Sequence, residues 1–174
     1  MLPKVVVTDI DGVWTDGGMY YDQTGNEFKK FNTYDSAGIL WCKLNNIKVI
    51  IATGENTKIV QRRADKLDVD YVFLGVKNKV QILNQLFNEI NIKWSEIAYI
   101  GDDINDYHAL EKSGFSACPM NSPSYIKNIV DYEVPVMGGD GAFRCFIEHI
   151  LSREKLMTDT LDRYLSSSKL KFEQ

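Results

Sequence analysis

Short apolar runs rich in Val, Ile and Tyr recur along the chain, separated by segments whose apolar residues fall three and four positions apart. The runs Lys4–Thr8, Ile47–Ala52, Asp70–Leu74, Ile97–Ile100 and Phe115–Cys118 predict strands. Between them, Ala37–Leu44 sets Ile39, Leu40 and Leu44 near one face, and Thr57–Leu67 carries Ile59, Val60, Ala64 and Leu67. Lys79–Ile90 repeats the pattern with Val80, Leu83, Leu86, Phe87 and Ile90, so all three segments predict helices. Strands that are apolar nearly throughout must be buried on both sides. The alternation therefore predicts an α/β fold, a Rossmann-like and mainly parallel sheet with helices on both faces.

One segment departs from this rhythm. Met19-Tyr20-Tyr21, a polar turn Asp22–Asn26 and Glu27–Phe31 predict a β-hairpin within about residues 17–33. Isolated hairpins are marginal in water, and exposed Tyr20, Tyr21, Phe28 and Phe31 need cover, so packing on a neighbouring subunit is expected. Residues 152–174 are polar, with a short helix expected at Thr158–Leu165 and a frayed tail after it. The expected organisation is one domain over residues 1–151 followed by this tail.

A length of 174 residues suits a single domain, and a net charge of −4 without extended Lys/Arg blocks argues against nucleic-acid or membrane-surface partners. The first strand follows Met1 closely, with no charged-then-apolar leader or long apolar span, which predicts a cytoplasmic protein. Cys42, Cys118 and Cys145 are scattered in apolar surroundings and are expected to be core thiols.

The first strand ends in Asp9-Ile10-Asp11-Gly12, two acids two residues apart and hence on one side of a strand. Asp is also a common turn residue, so the pair alone is compatible with a solvated loop. The strand Ile97–Ile100 ends similarly, in Gly101-Asp102-Asp103-Ile104-Asn105-Asp106, where Asp102 or Asp103 is expected to cap a following helix. Carboxylates from two loops suit a hard, oxygen-preferring cation, and Mg²⁺ fits best. Zinc does not, since His108 and His149 are the only histidines and lack a ligand-like partner. Thr53-Gly54 ends another strand and could offer a hydroxyl and backbone N–H groups to a phosphate. Lys79 opens a helix, where a cation opposes the helix dipole unless an anion is present. All four signals fall at carboxyl ends of predicted strands, where ligands of open α/β sheets bind.

In this order, the motifs resemble those of the haloacid dehalogenase superfamily of phosphotransferases. Over about Val5–Leu151, the segments Asp11–Gly17, Phe31–Ile39 and Gly138–Arg144 are similar to its branch acting on phosphorylated 2-keto-3-deoxy sugar acids. The resemblance implies a fold without a large cap domain and a homotetramer in which the hairpin of one subunit closes the site of the next. It implies that Asp9 is the nucleophile, forming an aspartyl-phosphate, and that Asp11 protonates the leaving alkoxide and then activates water. Thr53, Gly54 and Lys79 would hold the phosphoryl group. Mg²⁺ would be bound by the Asp9 carboxylate, the Asp11 main-chain carbonyl and Asp102, with Asp103, Asn105 and Asp106 in support.

The implied substrate is a small phosphorylated sugar acid. Octulosonate 8-phosphatases of this branch typically carry Arg after the Thr-Gly, whereas this chain has Glu55. Together with Lys66 and Asp35–Gly38, Glu55 resembles the nonulosonate 9-phosphate enzymes (deoxynonulosonate or N-acetylneuraminate type) more closely, with 3-deoxy-manno-octulosonate 8-phosphate the alternative. Arg63, Lys66 and Arg144 are candidate partners of a substrate carboxylate, or else ordinary surface cations. Cys145 stands where the family often has Glu. A phospho-acceptor signalling domain combines similar groups, but its acceptor Asp is central and its Lys comes last, the reverse of the order here. A catalytically silent oligomerisation module is disfavoured because no motif residue is missing.

Overall fold

The structure, a computed structural model, describes residues 1–172, with the side chains of residues 1–166. The chain begins with β1 (Val5–Thr8), then the hairpin strands β2 (Tyr20–Tyr21) and β3 (Glu27–Phe28). Next come α1 (Asp35–Leu44), β4 (Lys48–Ala52), α2 (Lys58–Leu67), β5 (Tyr71–Phe73) and α3 (Lys79–Glu89). The second half adds β6 (Ile97–Ile100), α4 (Tyr107–Lys112), β7 (Phe115–Pro119), α5 (Ser124–Lys127) and β8 (Tyr132–Val134). It closes with α6 (Ala142–Arg153) and α7 (Met157–Phe172).

Six strands form one sheet in the order β5-β4-β1-β6-β7-β8, and every pairing is parallel. The expected α/β architecture is therefore present, extended by β8. Alternation along β1 splits the core: Val6 joins the apolar layer against α1, α2 and α6, while Val5 and Val7 join the layer against α3, α4 and α5. The chain builds outward from β1 to β5, then returns to place β6 on β1's other side, so the crossover direction reverses between β1 and β6. A crevice opens at such a reversal. Register brings its rims level, because Thr8 pairs with Ile51 on one side and Ile100 on the other.

The hairpin forms at the expected place but is short, pairing Tyr20 with Phe28 and Tyr21 with Glu27. Asp22 accepts the backbone N–H groups of Thr24 and Asn26 at 2.8 and 2.9 Å, and Gly25 takes φ +87°, which together set the turn. Tyr20, Tyr21 and Phe28 are exposed, but Phe31 is not: it bridges to Thr15 and packs against the core beneath Arg63. The C-terminal segment also differs from expectation. α7 spans the expected short helix and continues through Ser166–Ser168, docked on α1 by Thr160, by Trp41 against Tyr164 and by Arg163 to the Leu44 carbonyl. Residues 173–174 of the predicted tail lie outside the described residues. All three cysteines are free, Cys42 and Cys118 buried and Cys145 half-buried. Among the described residues, no helix is long and apolar enough to cross a membrane.

Candidate active site

The backbone around Asp9 is fixed from several directions. Its N–H donates to Ile100 O at 3.1 Å, and its carbonyl accepts the Thr8 hydroxyl, which in turn accepts Trp14 Nε1 at 2.9 Å. Trp14 is fully buried against Phe143, so the loop after β1 rests on α6. Gly12 turns the chain at φ +83°, and a Cβ there would overlap the Asp102 carboxylate. Gly138 approaches the Gly12 carbonyl just as closely, which ties the Gly138–Arg144 segment to the same loop.

Asp106 organises the opposite rim. Its Oδ1 accepts Lys79 Nζ at 2.7 Å and the Tyr99 hydroxyl at 2.6 Å, while Oδ2 faces the N–H groups of Asp102 and Asp103 at 3.3 and 3.5 Å. Contrary to expectation, neither Asp102 nor Asp103 caps α4, which begins after Asp106 with no side-chain cap bond. Lys79 is buried at the start of α3, where Asn78 supplies the cap, and its ammonium also reaches Asp9 Oδ1 at 3.1 Å. The neighbouring Lys77 is exposed.

Asp9, Asp102 and Asp106 each place an oxygen within 4.8 Å of the others. Asp102 Oδ1 is buried without a hydrogen-bond donor, and buried Asp9 Oδ1 has only the Lys79 ammonium 3.1 Å away. Burial, then the charge of Asp106, pushes Asp9 up to about 7 against the pull of Lys79. Burial and the charges of Asp9 and Asp106 push Asp102 up to about 8. Buried carboxylates so close together need a counter-cation to remain ionised at neutral pH. An orphaned Asp102 oxygen beside an incompletely satisfied Asp9 carboxylate fits a hard divalent ion such as the expected Mg²⁺. Asp106 has its lone pairs committed elsewhere and braces the pair.

The first acidic loop divides its labour. Asp11's carboxylate stands outside the cluster and faces the hairpin, where Lys29 Nζ lies 2.7 and 2.8 Å from its two oxygens. Burial would lower the Lys29 ammonium, but Asp11, then Glu27 and Glu55, more than compensate and raise it. Lys29 lies within the expected hairpin, but nothing in the sequence motifs assigns it to the site.

A cavity of about 250 Å³ opens above these groups, lined by Asp9, Asp11, Asp102, Thr53, Gly54 and Glu55. Gly17 and Met19 add the hairpin side, and Asp103 and Asn105 line the same cavity as exposed side chains rather than standing behind it. Asp103 also accepts the Tyr125 hydroxyl at 2.8 Å. A larger, open groove of about 870 Å³ between α3 and α4 is walled by Asn and Gln side chains and contains none of the clustered acids.

The three candidate cations are not brought to this cavity within one chain. Arg63 donates to Asn32 O at 3.1 Å and Ser36 Oγ at 3.0 Å. Arg144 pairs with Glu148 at 2.7 Å, and Lys66 is exposed on α2.

A crevice at the sheet's switch point, with acids at two neighbouring strand ends and a buried lysine bracing them, suits a divalent cation and an anionic group beside it. The haloacid dehalogenase-like hydrolase family matches residues 34–114, which include Thr53, Lys79 and the acidic loop after β6. The 3-deoxy-D-manno-octulosonate 8-phosphate phosphatase of Haemophilus influenzae is 35% identical over 95% of this chain and 93% of its own. The enzyme of that name from Escherichia coli K12 is 33% identical over 81% of this chain and 75% of its own. Among solved structures, the Moraxella catarrhalis 3-deoxy-D-manno-octulosonate 8-phosphate phosphatase, in complex with magnesium, phosphate and KDO, superposes with a TM-score of 0.89. It is 31% identical and covers 93% of each chain. A probable YrbI-family phosphatase from Pseudomonas syringae gives a TM-score of 0.90 at 34% identity, covering 94% of this chain and 93% of the other. The chain belongs to the haloacid dehalogenase-like hydrolases, in their cap-less branch of sugar-acid phosphatases. It is a phosphatase, which sets aside the phospho-acceptor and silent-module readings.

Proposed function

We propose that this phosphatase removes the terminal phosphate of a 2-keto-3-deoxy sugar acid, with a nine-carbon nonulosonate 9-phosphate preferred over 3-deoxy-manno-octulosonate 8-phosphate. Asp9 Oδ attacks phosphorus as the bond from phosphorus to the sugar oxygen breaks. The released electron pair goes to that oxygen, which takes the proton held by Asp11. In the second step Asp11 accepts a proton from water as the water oxygen bonds to phosphorus. The Asp9–phosphorus bond breaks, its electrons return to the carboxylate, and inorganic phosphate leaves. Lys79 and Thr53 hold the phosphoryl oxygens. The Asp9 carboxylate, the Asp11 carbonyl and Asp102 would hold Mg²⁺, which when bound supplies the positive charge that lets an anionic nucleophile approach an anionic phosphate.

The observation that carries the choice of sugar is Glu55, which lines the cavity beside Thr53 and Gly54. A carboxylate there accepts hydrogen bonds from hydroxyls and repels a substrate carboxylate, so it favours a longer polyol carrying its acid group farther away. The relatives named above are octulosonate 8-phosphate phosphatases where a substrate is given; they support the sugar-acid class and side with the eight-carbon alternative, so the nine-carbon preference rests on Glu55. Residues 1–151 form the catalytic unit in this reading. Exposed Tyr20, Tyr21 and Phe28 form a subunit contact in a homotetramer, where Arg63, Lys66 or Arg144 could reach a neighbour's substrate.

The test is a side-by-side assay with Mg²⁺ of 3-deoxy-manno-octulosonate 8-phosphate, deoxynonulosonate 9-phosphate and N-acetylneuraminate 9-phosphate. The highest kcat/KM is expected for a nine-carbon substrate. Equal or higher kcat/KM for the octulosonate ester overturns the preference.

A further inference from the structure

Adjacent lysines on the hairpin have opposite fates. Lys30 leaves its side chain 64% exposed, 3.7 Å from Asp16, whereas Lys29 is fully shielded and spans both oxygens of Asp11. A hairpin needing only solubility would leave both ammonium groups in water, because withdrawing one costs several kcal/mol unless it is paired. The pairing is dense: Glu27 lies 3.6 Å from Lys29 Nζ, and the Met19 sulfur lies at 3.9 Å. On its other side, Asp11 Oδ1 receives the Thr15 hydroxyl at 3.3 Å. The two donors come from segments that are themselves joined by the Thr15–Phe31 bridge.

We propose that Lys29 is a positioning residue for Asp11: the ammonium fork fixes the plane of the carboxylate that serves the leaving oxygen, and so makes the hairpin part of its own subunit's active site. The proposal rests on the reading of Asp11 as the acid that protonates the leaving group. A carboxylate on a single-bonded stem rotates freely, and a misplacement of about 1 Å costs on the order of a hundredfold in rate. Bonds from one ammonium to both oxygens remove that freedom, and Oδ2, which receives no second donor, keeps a lone pair outside the fork. The geometry also changes the hairpin's role, since exposed Tyr20, Tyr21 and Phe28 remain available to a neighbouring subunit while Lys29 serves its own chain.

The experiment measures kcat/KM of the intact Mg²⁺-loaded enzyme on aryl and alkyl phosphates of decreasing leaving-group acidity, starting from p-nitrophenyl phosphate. This constant reports the steps through alcohol release. The wild type is expected to show a shallow dependence on the leaving group. Lys29→Met should steepen it, losing least on p-nitrophenyl phosphate and about a hundredfold on the poorest alkyl leaving group. Lys29→Arg should recover part of the loss, and Asp11→Asn should be at least as steep as Lys29→Met. A Lys29→Met loss equal on every ester would mean that the lysine only holds the hairpin, and no loss would mean that it does nothing for Asp11; either overturns the inference. An unchanged slope in Asp11→Asn would instead remove the role assigned to Asp11.

Discussion

Lys79 and Asp106 form a buried ion pair 2.7 Å long that joins the start of α3 to the loop after β6. The same ammonium lies 3.1 Å from Asp9, so one side chain connects the proposed nucleophile to the acid that braces the cation site. Removing one partner of a buried pair is more damaging than never having had it, because the other charge is left stranded. Lys79→Met is therefore expected to lower stability by about 3–5 kcal/mol, measured by urea denaturation of the metal-free protein. It should also remove most phosphatase activity under conditions where the variant is still folded. Unchanged stability together with full activity would contradict both assignments.

Raised carboxylates give the cation a pH signature. In the metal-free protein, Asp9 titrates near 7 and Asp102 near 8, both above the unfolded value of 3.8. Between those limits the folded state binds more protons than the unfolded state, so stability falls as pH rises. A bound divalent ion relieves the repulsion that causes this. The rise in Tm on adding Mg²⁺ should therefore be greater at pH 8 than at pH 6, read by thermal unfolding with Mg²⁺ or with chelator. A Mg²⁺ effect that shrinks towards pH 8 would count against a cation held by Asp9 and Asp102.

Much of this site was legible before the structure because each motif sits where an apolar run stops. Val5–Thr8, Lys48–Ala52 and Ile97–Ile100 are buried along their whole length or nearly so, and Asp9, Thr53 and Asp102 follow them within two positions in the crevice. Periodicity carried less information elsewhere. β8 has three residues and one fully buried side chain, too weak a signal to separate from a loop. α6 does show helical spacing in Phe143, Phe146, Ile147, Ile150 and Leu151, but its first residues read as part of a Gly-rich motif. Lys29 had a usable signal: Glu27, Lys29 and Phe31 alternate on one side of the strand, and Phe31 packs inward. Arg63 and Arg144 could not be placed, because a long flexible cation has many partners within reach and the sequence does not say which one wins.

Gly12 makes a sharper test of the cation site than any acid, since changing it removes no ligand. Its φ of +83° and the absence of room beside Asp102 both exclude a side chain. Gly12→Ala should displace the Asp102 carboxylate and weaken Mg²⁺ binding by at least about tenfold, with about 1–2 kcal/mol of stability lost to the left-handed backbone. Isothermal titration with Mg²⁺ reads the first effect and denaturation the second. Wild-type Mg²⁺ affinity in this variant would mean that Asp102 is not a ligand.

Asp35 offers a stability effect remote from the cation. It opens α1, is fully buried, and accepts the Arg144 N–H at 3.1 Å through Oδ1, while Oδ2 has no donor. Burial, opposed by that bond and by Arg63, pushes it up to about 6. Because the folded value exceeds the unfolded 3.8, the protonated form favours folding below that window, and the advantage is lost as pH rises through 6. Asp35→Asn keeps an acceptor for the Arg144 N–H and carries no charge. It should raise Tm at pH 7.5 and leave it nearly unchanged at pH 4. A lower Tm at pH 7.5 would mean that Arg63 and Arg144 outweigh the cost of burying the carboxylate.

Glu55 lines the cavity on a fixed backbone, where Gly75 N–H donates to its carbonyl at 3.2 Å and its own N–H approaches Thr53 Oγ1 at 3.5 Å, and its carboxylate acts on Lys29 through charge alone. Its side chain can thus be exchanged without cutting a buried network, and the change in selectivity can be read separately from the fold. Glu55→Arg reverses the charge presented to the sugar. An arginine there attracts a nearby substrate carboxylate through a two-pronged hydrogen bond, and it no longer accepts hydrogen bonds from the hydroxyls of a longer chain. The ratio of kcat/KM for octulosonate 8-phosphate to that for nonulosonate 9-phosphate should rise by about tenfold or more, the effect of one well-placed charged contact. Hydrolysis of p-nitrophenyl phosphate, which has no sugar to recognise, provides the internal reference. If both sugar acids fall by the same factor while the aryl ester is unaffected, Glu55 contacts the substrate but does not choose its length, and the preference for nine carbons loses its support.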